Sequence, residues 1–310
     1  MEKWGDPLGA YEEHGAQLKA ALVGLLPDDF SFEGKRVLDF GCGAGRTLRH
    51  FLSEAEDGEF WGADIDAESI DWMQEALCPP LHAWRCSHGP PLGLEYGSFD
   101  LAWAISVFTH LPRISSAPWL LELHRLLKPG GLLIATYTGR WNSEYLAGEP
   151  WEEDRVGMNV LRHNADWDHG GPVVLMSDWW VRAHWGRAFE ILEIAPQIHD
   201  MSWAVLRKRD VELTTEDLER PEDDPREYLA VRHNLRQAER ELDLAQQEHA
   251  AKLNELRQQQ AANLNELRQQ QAAQLRALRQ EYEGSLSWQL TGPLRAAARL
   301  VRSFRARRSS

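Results

Sequence analysis

The sequence predicts an α/β domain with a parallel sheet, followed by one long helix and a short basic helix. Strand-like and helix-like segments alternate through the first two thirds of the 310 residues, as they do in parallel α/β sheets. The next stretch lacks proline and glycine, and the last 27 residues carry six arginines and no acid. The predicted divisions are a globular domain over 1–207, an acidic linker over 208–227, a coiled coil over 228–283 and a basic amphipathic tail over 284–310.

Composition excludes several classes of protein. The chain carries 34 basic and 48 acidic residues, a net charge of −14, which argues against a general nucleic-acid binder because a polyanion needs a basic surface. Three cysteines exclude a disulfide framework and fit a reducing compartment. Neither a signal peptide nor an apolar run long enough to span a membrane is apparent. We therefore expect a cytoplasmic protein.

Short apolar runs predict the strands of the domain, and 3.6-residue spacing predicts the helices between them. The predicted strands are 36–40, 60–64, 81–85, 101–105, 131–137, 189–194 and 202–208. The predicted helices are 46–52, 67–77 and 113–127.

A glycine-rich loop follows the first strand, with the sequence Asp39-Phe40-Gly41-Cys42-Gly43-Ala44-Gly45. Alternate glycines let the backbone turn sharply and approach a ligand closely. Such a loop alone fits a dinucleotide, a nucleoside or no ligand. Asp64 ends the second strand, where a carboxylate can accept both ribose hydroxyls. An acid at the start of the loop would repel a pyrophosphate and would suit a ligand that carries an ammonium and a sulfonium.

Four segments in order resemble the motifs of class I S-adenosylmethionine-dependent methyltransferases. They are the glycine loop at 37–46, the acidic motif at 62–66, the fourth-strand motif at 97–111 and the turn into the fifth strand at 126–134. The resemblance implies a Rossmann-like, seven-stranded sheet with an antiparallel last strand. It also implies S-adenosylmethionine as cofactor along the carboxyl ends of the strands, where open α/β sheets bind ligands.

The resemblance also implies roles for single residues. Asp39 would hold the methionine ammonium, and Asp64 would bind the ribose with Ile65 against the adenine. The loop backbone at Gly41, Gly43 and Gly45 would line the cofactor, and Ser106 belongs to the site through the fourth motif. The family often has an acid after the third strand; here Ser87 or a backbone group would replace it.

Transfer to a hydroxyl requires a group that removes its proton. His110 follows the fourth strand and is the first candidate for this general base; the alternative is that it holds its loop through a backbone hydrogen bond. Residues 141–185 contain six tryptophans, which suit stacking on sugar rings, although we expect three or more in the core. The histidines and aspartates of this stretch match no standard ligand spacing, so no metal is predicted.

An eleven-residue repeat marks the long helix, since Leu253–Ala262 returns as Leu264–Ala273. This period, 3.67 residues per turn, favours a straight or slightly right-handed supercoil. One leucine stripe is poorly satisfied by a lone helix in water, so we expect a homo-oligomer through a coiled coil. The alternative is a solvated single helix or a disordered segment.

The tail combines an apolar face, which includes Leu294, Val301 and Phe304, with a face of arginines. This make-up suits peripheral contact with the inner face of the cell membrane; the alternatives are a partner glycan enzyme and the protein's own acidic surface. Residues 285–295 also resemble the ending of bacterial cell-surface polysaccharide enzymes, among them O-antigen methyltransferases.

These features together predict an O-methyltransferase that acts on a sugar hydroxyl of a bacterial surface glycan. One alternative is a methyltransferase with a small-molecule acceptor, which has no need of the tail. The other is a non-catalytic scaffold in which the domain binds its ligand and the coiled coil recruits partners.

Overall fold

The computed structural model describes residues 7–142, 146, 150–162 and 171–306. The chain divides into two compact units, Met1–Glu241 and Leu242–Ser310. Five polar or aromatic residues that the sequence placed near the acceptor side lie outside the described residues: His163, Asp166, Trp167, Asp168 and His169.

The first unit is built on a seven-stranded sheet. In chain order its strands are β1 (Arg36–Phe40), β2 (Glu59–Asp64), β3 (His82–Arg85), β4 (Phe99–Ala104), β5 (Leu127–Tyr137), β8 (Phe189–Ile198) and β9 (Met201–Lys208). Their order across the sheet is β3-β2-β1-β4-β5-β9-β8. The first five strands are parallel, and β9 pairs antiparallel with β5. The predicted Rossmann-like, seven-stranded sheet with an antiparallel last strand is therefore confirmed.

The helices of this unit are α1 (Pro7–Gly24), α2 (Ala67–Ala76), α3 (Arg113–Leu126), α4 (Glu153–Val156), α5 (Asp178–Ala188) and α6 (Thr215–Glu219). The predicted helix over 46–52 is instead a short 3-10 helix, Leu48–Phe51. Within this 3-10 helix, the Arg49 guanidinium donates to the carbonyls of Ala44 and Gly45, which precede it. The sequence did not predict α1.

Aromatic side chains fill both faces of the sheet. Trp103 and Trp203 are fully buried on one face, and Trp185 is fully buried on the other. Trp179 and Trp180 join Trp185 in the core, so the expectation of three or more buried tryptophans in 141–185 is confirmed. Each of these rings removes a large apolar area from water.

A small hairpin, β6 (Met158–Leu161) with β7 (Val173–Met176), packs beside the loop that follows β4. The Val174 amide donates to the Thr109 carbonyl at 2.8 Å, and the Met176 amide donates to the Thr138 carbonyl at 2.9 Å. Pro172, just before β7, thereby lies beside the loop that follows β4 and lines a cavity there.

The polar stretch after β9 is attached to the domain rather than extended from it. Thr214 and Asp217 form a capping box at the start of α6, and Leu218 is buried in the core. Helix α7 (Pro225–Gly284) begins against the domain: His184 Nε2 contacts Glu227 Oε1 at 2.7 Å, and Asn234 donates to the Met158 carbonyl at 2.6 Å. The first unit therefore extends to Glu241, whereas composition placed its end at 207.

The second unit comprises the rest of α7, then α8 (Leu286–Leu290) and α9 (Gly292–Ala306). The leucines of the eleven-residue repeat are all solvent-exposed in the single chain. Within the described part of the chain, no helix is long and apolar enough to cross a membrane.

Candidate active site

Two cavities lie above the carboxyl ends of the parallel strands. The first, about 540 Å³, is lined by Asp64, Ile65 and residues after β3 and β4. The second, about 530 Å³, is lined by Asp39, the glycine loop, α1 and the turn between β8 and β9. Gly41 and Ser106 line both cavities. One elongated ligand could therefore pass from one cavity to the other over these two residues.

The three loop glycines all have positive φ, but their surroundings differ. At Gly41 an added Cβ would lie 2.3 Å from a methyl of Val107, so only glycine fits. At Gly43 an added Cβ would meet nothing within 4 Å, so this face of the backbone is open to a ligand. Gly45 instead packs against Met73 and Leu77 and lines neither cavity.

Asp64 connects the loop to the end of β2. Its two carboxylate oxygens accept hydrogen bonds from the backbone amides of Gly43, at 2.7 Å, and Asp66, at 2.9 Å. These two bonds fix the orientation of the Asp64 carboxylate, which lines the first cavity. One of the two amides belongs to the glycine loop, which lines the second cavity. Asp66 caps α2 by accepting from the Ser69 amide at 3.2 Å, as expected of an N-cap residue.

The lining of the first cavity agrees with the residues predicted to hold the nucleoside, except at Ser87. Ile65 lines it as expected. After β3, Cys86 and His88 line it, whereas Ser87 is exposed and lies outside the lining. Desolvation, with the nearby Asp64 charge, raises the pKa of Cys86 to about 11, so this thiol is neutral at physiological pH.

The loop after β4 contains Ser106 and His110. Ser106 has a φ of 59°, and its amide donates to the Thr136 hydroxyl at 2.7 Å. His110 Nδ1 lies 2.9 Å from the Pro172 carbonyl, and the ring lines the first cavity. The carbonyl can only accept, so Nδ1 carries the proton and the lone pair of the neutral ring is on Nε2. A hydrogen bond to a backbone carbonyl is the contact expected if His110 holds its loop in place, which is the alternative to its role as general base.

Asp39 is buried at the end of β1, with 3% of its surface exposed. Desolvation raises its pKa to about 8, the Trp103 indole opposes the shift, and the Asp64 charge adds to it. The carboxyl is therefore largely protonated at neutral pH. A cationic ligand would favour its charged form and lower the pKa again.

Several residues that line the second cavity were not predicted from the sequence. Tyr11, His14 and Leu18 come from α1, His199 comes from the β8–β9 turn, and Met201 begins β9. None belongs to a recognisable motif, and the two groups lie far apart in the chain. Among the described residues, no group of three or more His, Cys, Asp or Glu could hold a metal ion.

Comparison with known families bears on the same region. Residues 38–133 match the model of a family described as "Methyltransferase domain". This segment contains β2 to β4, most of β1 and β5, the glycine loop, Asp64 and His110. S-adenosylmethionine is the cofactor that this family implies.

Curated relatives are similar over part of their length. The 2-methyl-6-phytyl-1,4-hydroquinone methyltransferase of Synechocystis is 28% identical over 44% of this chain and 41% of its own. The tRNA U34 carboxymethyltransferase of Idiomarina loihiensis is 37% identical over 34% of this chain and 33% of its own. The chain thus spans half or less of the curated relatives it matches.

Solved structures are also similar over part of the chain. An S-adenosylmethionine-dependent methyltransferase from Mesorhizobium loti covers 63% of this chain and 99% of its own, with 18% identity and a TM-score of 0.48. A phosphoethanolamine N-methyltransferase from Haemonchus contortus covers 66% of this chain and 46% of its own, with 15% identity and a TM-score of 0.47.

The residues of the two cavities fit S-adenosylmethionine. The open backbone at Gly43 and the acid in the lining of each cavity, Asp64 in the first and Asp39 in the second, match a ligand with a ribose at one end and an ammonium at the other. Asp64 and Ile65 would hold the nucleoside, and Asp39 would hold the amino-acid end. When bound, this cofactor supplies an electrophilic methyl group.

Asp64→Ala is expected to weaken S-adenosylmethionine binding by roughly 1.5–3 kcal/mol, the scale of hydrogen bonds to a charged group. Isothermal calorimetry measures the change. Asp66→Ala is the matched control, because it removes a neighbouring carboxylate that caps α2; it should cost about 1 kcal/mol of stability and leave the affinity unchanged. Equal affinities for the wild type and Asp64→Ala would place the ribose elsewhere.

Proposed function

We propose that this protein is an S-adenosylmethionine-dependent O-methyltransferase that acts on a sugar hydroxyl of a bacterial surface glycan. The observation that carries methyl transfer is the pair of cavities joined at Gly41 and Ser106, with Asp64 in one and Asp39 in the other. A ligand held at both ends would have its sulfonium near the junction. Holding the reacting atoms in line provides much of the rate of such a displacement.

The C-terminal unit supports a glycan acceptor. An enzyme that modifies a glycan assembled at a membrane benefits from attachment there, and α9 has the composition of an interfacial helix. Its Leu294, Leu300 and Val301 are exposed. The resemblance of residues 285–295 to the ending of polysaccharide enzymes points to the same acceptor class.

The exposed leucines of α7 support self-association. Leu253, Leu256, Leu264 and Leu267 repeat along one stripe, and each is at least 40% exposed in the single chain. Burial of such a stripe against a second copy would remove apolar surface from water. We therefore propose a homo-oligomer through α7.

A small-molecule acceptor is the second candidate. It is favoured by the names of relatives, since one is a hydroquinone methyltransferase and another, from Arabidopsis thaliana, is a tocopherol O-methyltransferase. A scaffold without turnover is less well supported, because the open backbone at Gly43 and both carboxylates are retained.

Mass spectrometry of the surface glycan from cells with and without this protein tests the proposal. We expect one methyl group per modified sugar to disappear when the protein is absent and to return with the wild-type chain. The Asp64→Ala variant should restore it only in part. An unchanged methylation pattern would refute the glycan acceptor, and a methylated metabolite lost in its place would favour the second candidate.

A further inference from the structure

The second cavity has two dissimilar sides. One side is the cofactor loop, with Asp39 and the backbone of Gly41 to Ala44. The other side consists of Tyr11, His14 and Leu18 from α1, with His199 from the β8–β9 turn and Met201 at the start of β9. The amino-acid end of the cofactor would meet the loop side. The side formed by α1 and the turn is left to a second ligand.

The β8–β9 turn is held in an unfavourable backbone conformation. Ile198 pairs with Met201, so His199 and Asp200 are the two turn residues, with φ of 49° and 60°. Two-residue hairpins of this kind strongly prefer asparagine or glycine at these positions. A histidine kept in the left-handed region beside a cavity is a reason to suspect a function for its side chain.

Two further features fix where this turn lies. The register of β8 against β9 shifts between Ala195 and Ile198, an irregularity of the kind that redirects side chains near active sites. The Trp203 indole donates to the Ile198 carbonyl at 2.9 Å, which ties the base of the turn to the sheet. His199 is therefore held in the cavity wall by buried structure.

The turn brings His199 next to His14. The two ring centroids are 5.6 Å apart, with 33° between the planes. The pKa of His14 is lowered by partial burial, by the Arg46 cation and by His199. Tyr11, Asp39 and Arg46 also line this cavity. His14 is therefore neutral at pH 7, the form of histidine that can accept a proton.

We propose that the methyl acceptor binds in the second cavity between α1 and the β8–β9 turn, and that His14 removes the proton from its hydroxyl while His199 positions the acceptor. The proposal rests on the proposed methyl transfer. In that step the acceptor oxygen forms a bond to the methyl carbon, and the bond from that carbon to sulfur breaks. The bonding pair stays on sulfur as a neutral thioether, and the acceptor's proton passes to an imidazole nitrogen of His14.

A histidine NMR titration tests the location without any acceptor. The full chain, with its histidine rings labelled with ¹³C, is titrated with acid in the absence and presence of S-adenosylmethionine. We expect the His14 signal, assigned by its loss in His14→Gln, to titrate below pH 6.5. The ring signals of both His14 and His199 should change in chemical shift when the cofactor is added, whereas the signal of His249, exposed on α7, should not. Absence of a response at both His14 and His199 would overturn the proposal.

Methyl transfer tests the role of His14. The full chain is given S-adenosylmethionine with a tritiated methyl group and an extract of cells that lack this protein, which is then separated into glycan and small-molecule fractions. The fraction that becomes labelled tests the proposed function. With that same fraction, His14→Gln should lower kcat about 100-fold with little change in cofactor KM, as loss of a general base does. Added imidazole should restore part of the rate to His14→Ala.

His110 is the competing base, and its variant gives the opposite result if the assignment to His14 is wrong. We expect His110→Gln to lower kcat less than tenfold and to keep the wild-type pH profile. In His14→Gln the acid limb of that profile should disappear. A 100-fold loss in His110→Gln, together with a loss below threefold in His14→Gln, would overturn the proposal even if the glycan is the acceptor.

A matched pair of turn variants tests His199. His199→Asn and Gln197→Asn both place asparagine at a left-handed position, since Gln197 has a φ of 59°, and both should raise the melting temperature. Gln197 is exposed and lies outside the cavity lining, so its variant should keep the wild-type kcat. His199→Asn should raise the KM for the labelled fraction at least tenfold. An unchanged KM in His199→Asn would remove the turn from the acceptor site.

Discussion

Asp39→Asn should weaken S-adenosylmethionine binding at least about 100-fold and, in the ligand-free protein, raise the melting temperature at pH 8. Removing one partner of a buried charge pair costs about 3 kcal/mol or more, which corresponds to the predicted loss of affinity. The gain in stability has the opposite cause, because an asparagine has no carboxyl to ionise in a buried position.

The sign of the pH effect follows from the direction of the shift. The pKa of Asp39 is raised from 3.8 to about 8 in the folded chain. Between these values the folded state binds more protons than the unfolded state, so stability falls as pH rises from about 4 to 8. At about 1.36 kcal/mol per unit, Asp39→Asn should gain roughly 2–5 kcal/mol at pH 8 and almost nothing at pH 4. Thermal unfolding at both pH values measures this.

Calorimetry provides a second readout for Asp39. Because a bound cation lowers the pKa of this carboxyl, cofactor binding at pH 6.5 should release close to one proton in the wild type. Titrations in two buffers of different ionisation enthalpy count it. Asp39→Asn should release none, and Asp66→Asn, a neighbouring exposed acid, should behave as the wild type. Unchanged affinity in Asp39→Asn would contradict the assignment of the ammonium to Asp39.

The full chain should sediment with anionic phospholipid vesicles at low salt, and a chain that ends at Gly284 should not. The removed segment carries six arginines, and each arginine near an anionic surface contributes about 1 kcal/mol. Several tails on one oligomer bind more tightly than one. In the described structure Arg295 already stacks on Trp288 at 3.5 Å, which leaves Arg299 and Arg302 as better positions for variants.

The controls separate the effect of the tail from that of the coiled coil that we propose. Arg299→Gln with Arg302→Gln should reduce sedimentation while the oligomer persists, and neutral vesicles or about 1 M salt should prevent it. A chain ending at Glu241 should be a folded monomer, because the first unit extends to that residue. A monomeric full chain by light scattering that ignores anionic vesicles would refute both the coiled coil and the membrane contact.

Most of the sheet could be predicted because each strand is a short apolar run between turn residues, as with Arg36–Phe40, which agrees with β1 to the residue. The cofactor residues that we propose, Asp39 and Asp64, stand in local motifs that the sequence displays. The acceptor side that we propose could not be predicted in the same way. His14 and His199 meet only through tertiary structure, and the conformation of the turn at His199 contradicts its local preference.

The end of the domain was also hidden from the sequence. The composition of 208–227 is polar, yet one buried leucine and a few hydrogen bonds attach this segment to the domain. Leu218 is 2% exposed, and its carbonyl accepts from His184 and Arg187. Such contacts depend on partners that are distant in the chain and leave no mark in local composition.

The N-terminal part of α7, which packs on the domain, limits where the C-terminal unit can be exchanged for that of another protein. Gly157 approaches Ala230 so closely that an added Cβ would lie 2.7 Å from the alanine methyl, and Gln237 is buried against Asn159. If the C-terminal segment were exchanged near Pro225, at the end of the polar segment 208–227, these contacts would be lost and apolar surface would be exposed. A graft made after Glu241 keeps them. The usable junction for chimeric proteins therefore lies inside a continuous helix, and a donor cassette must continue that helix in phase.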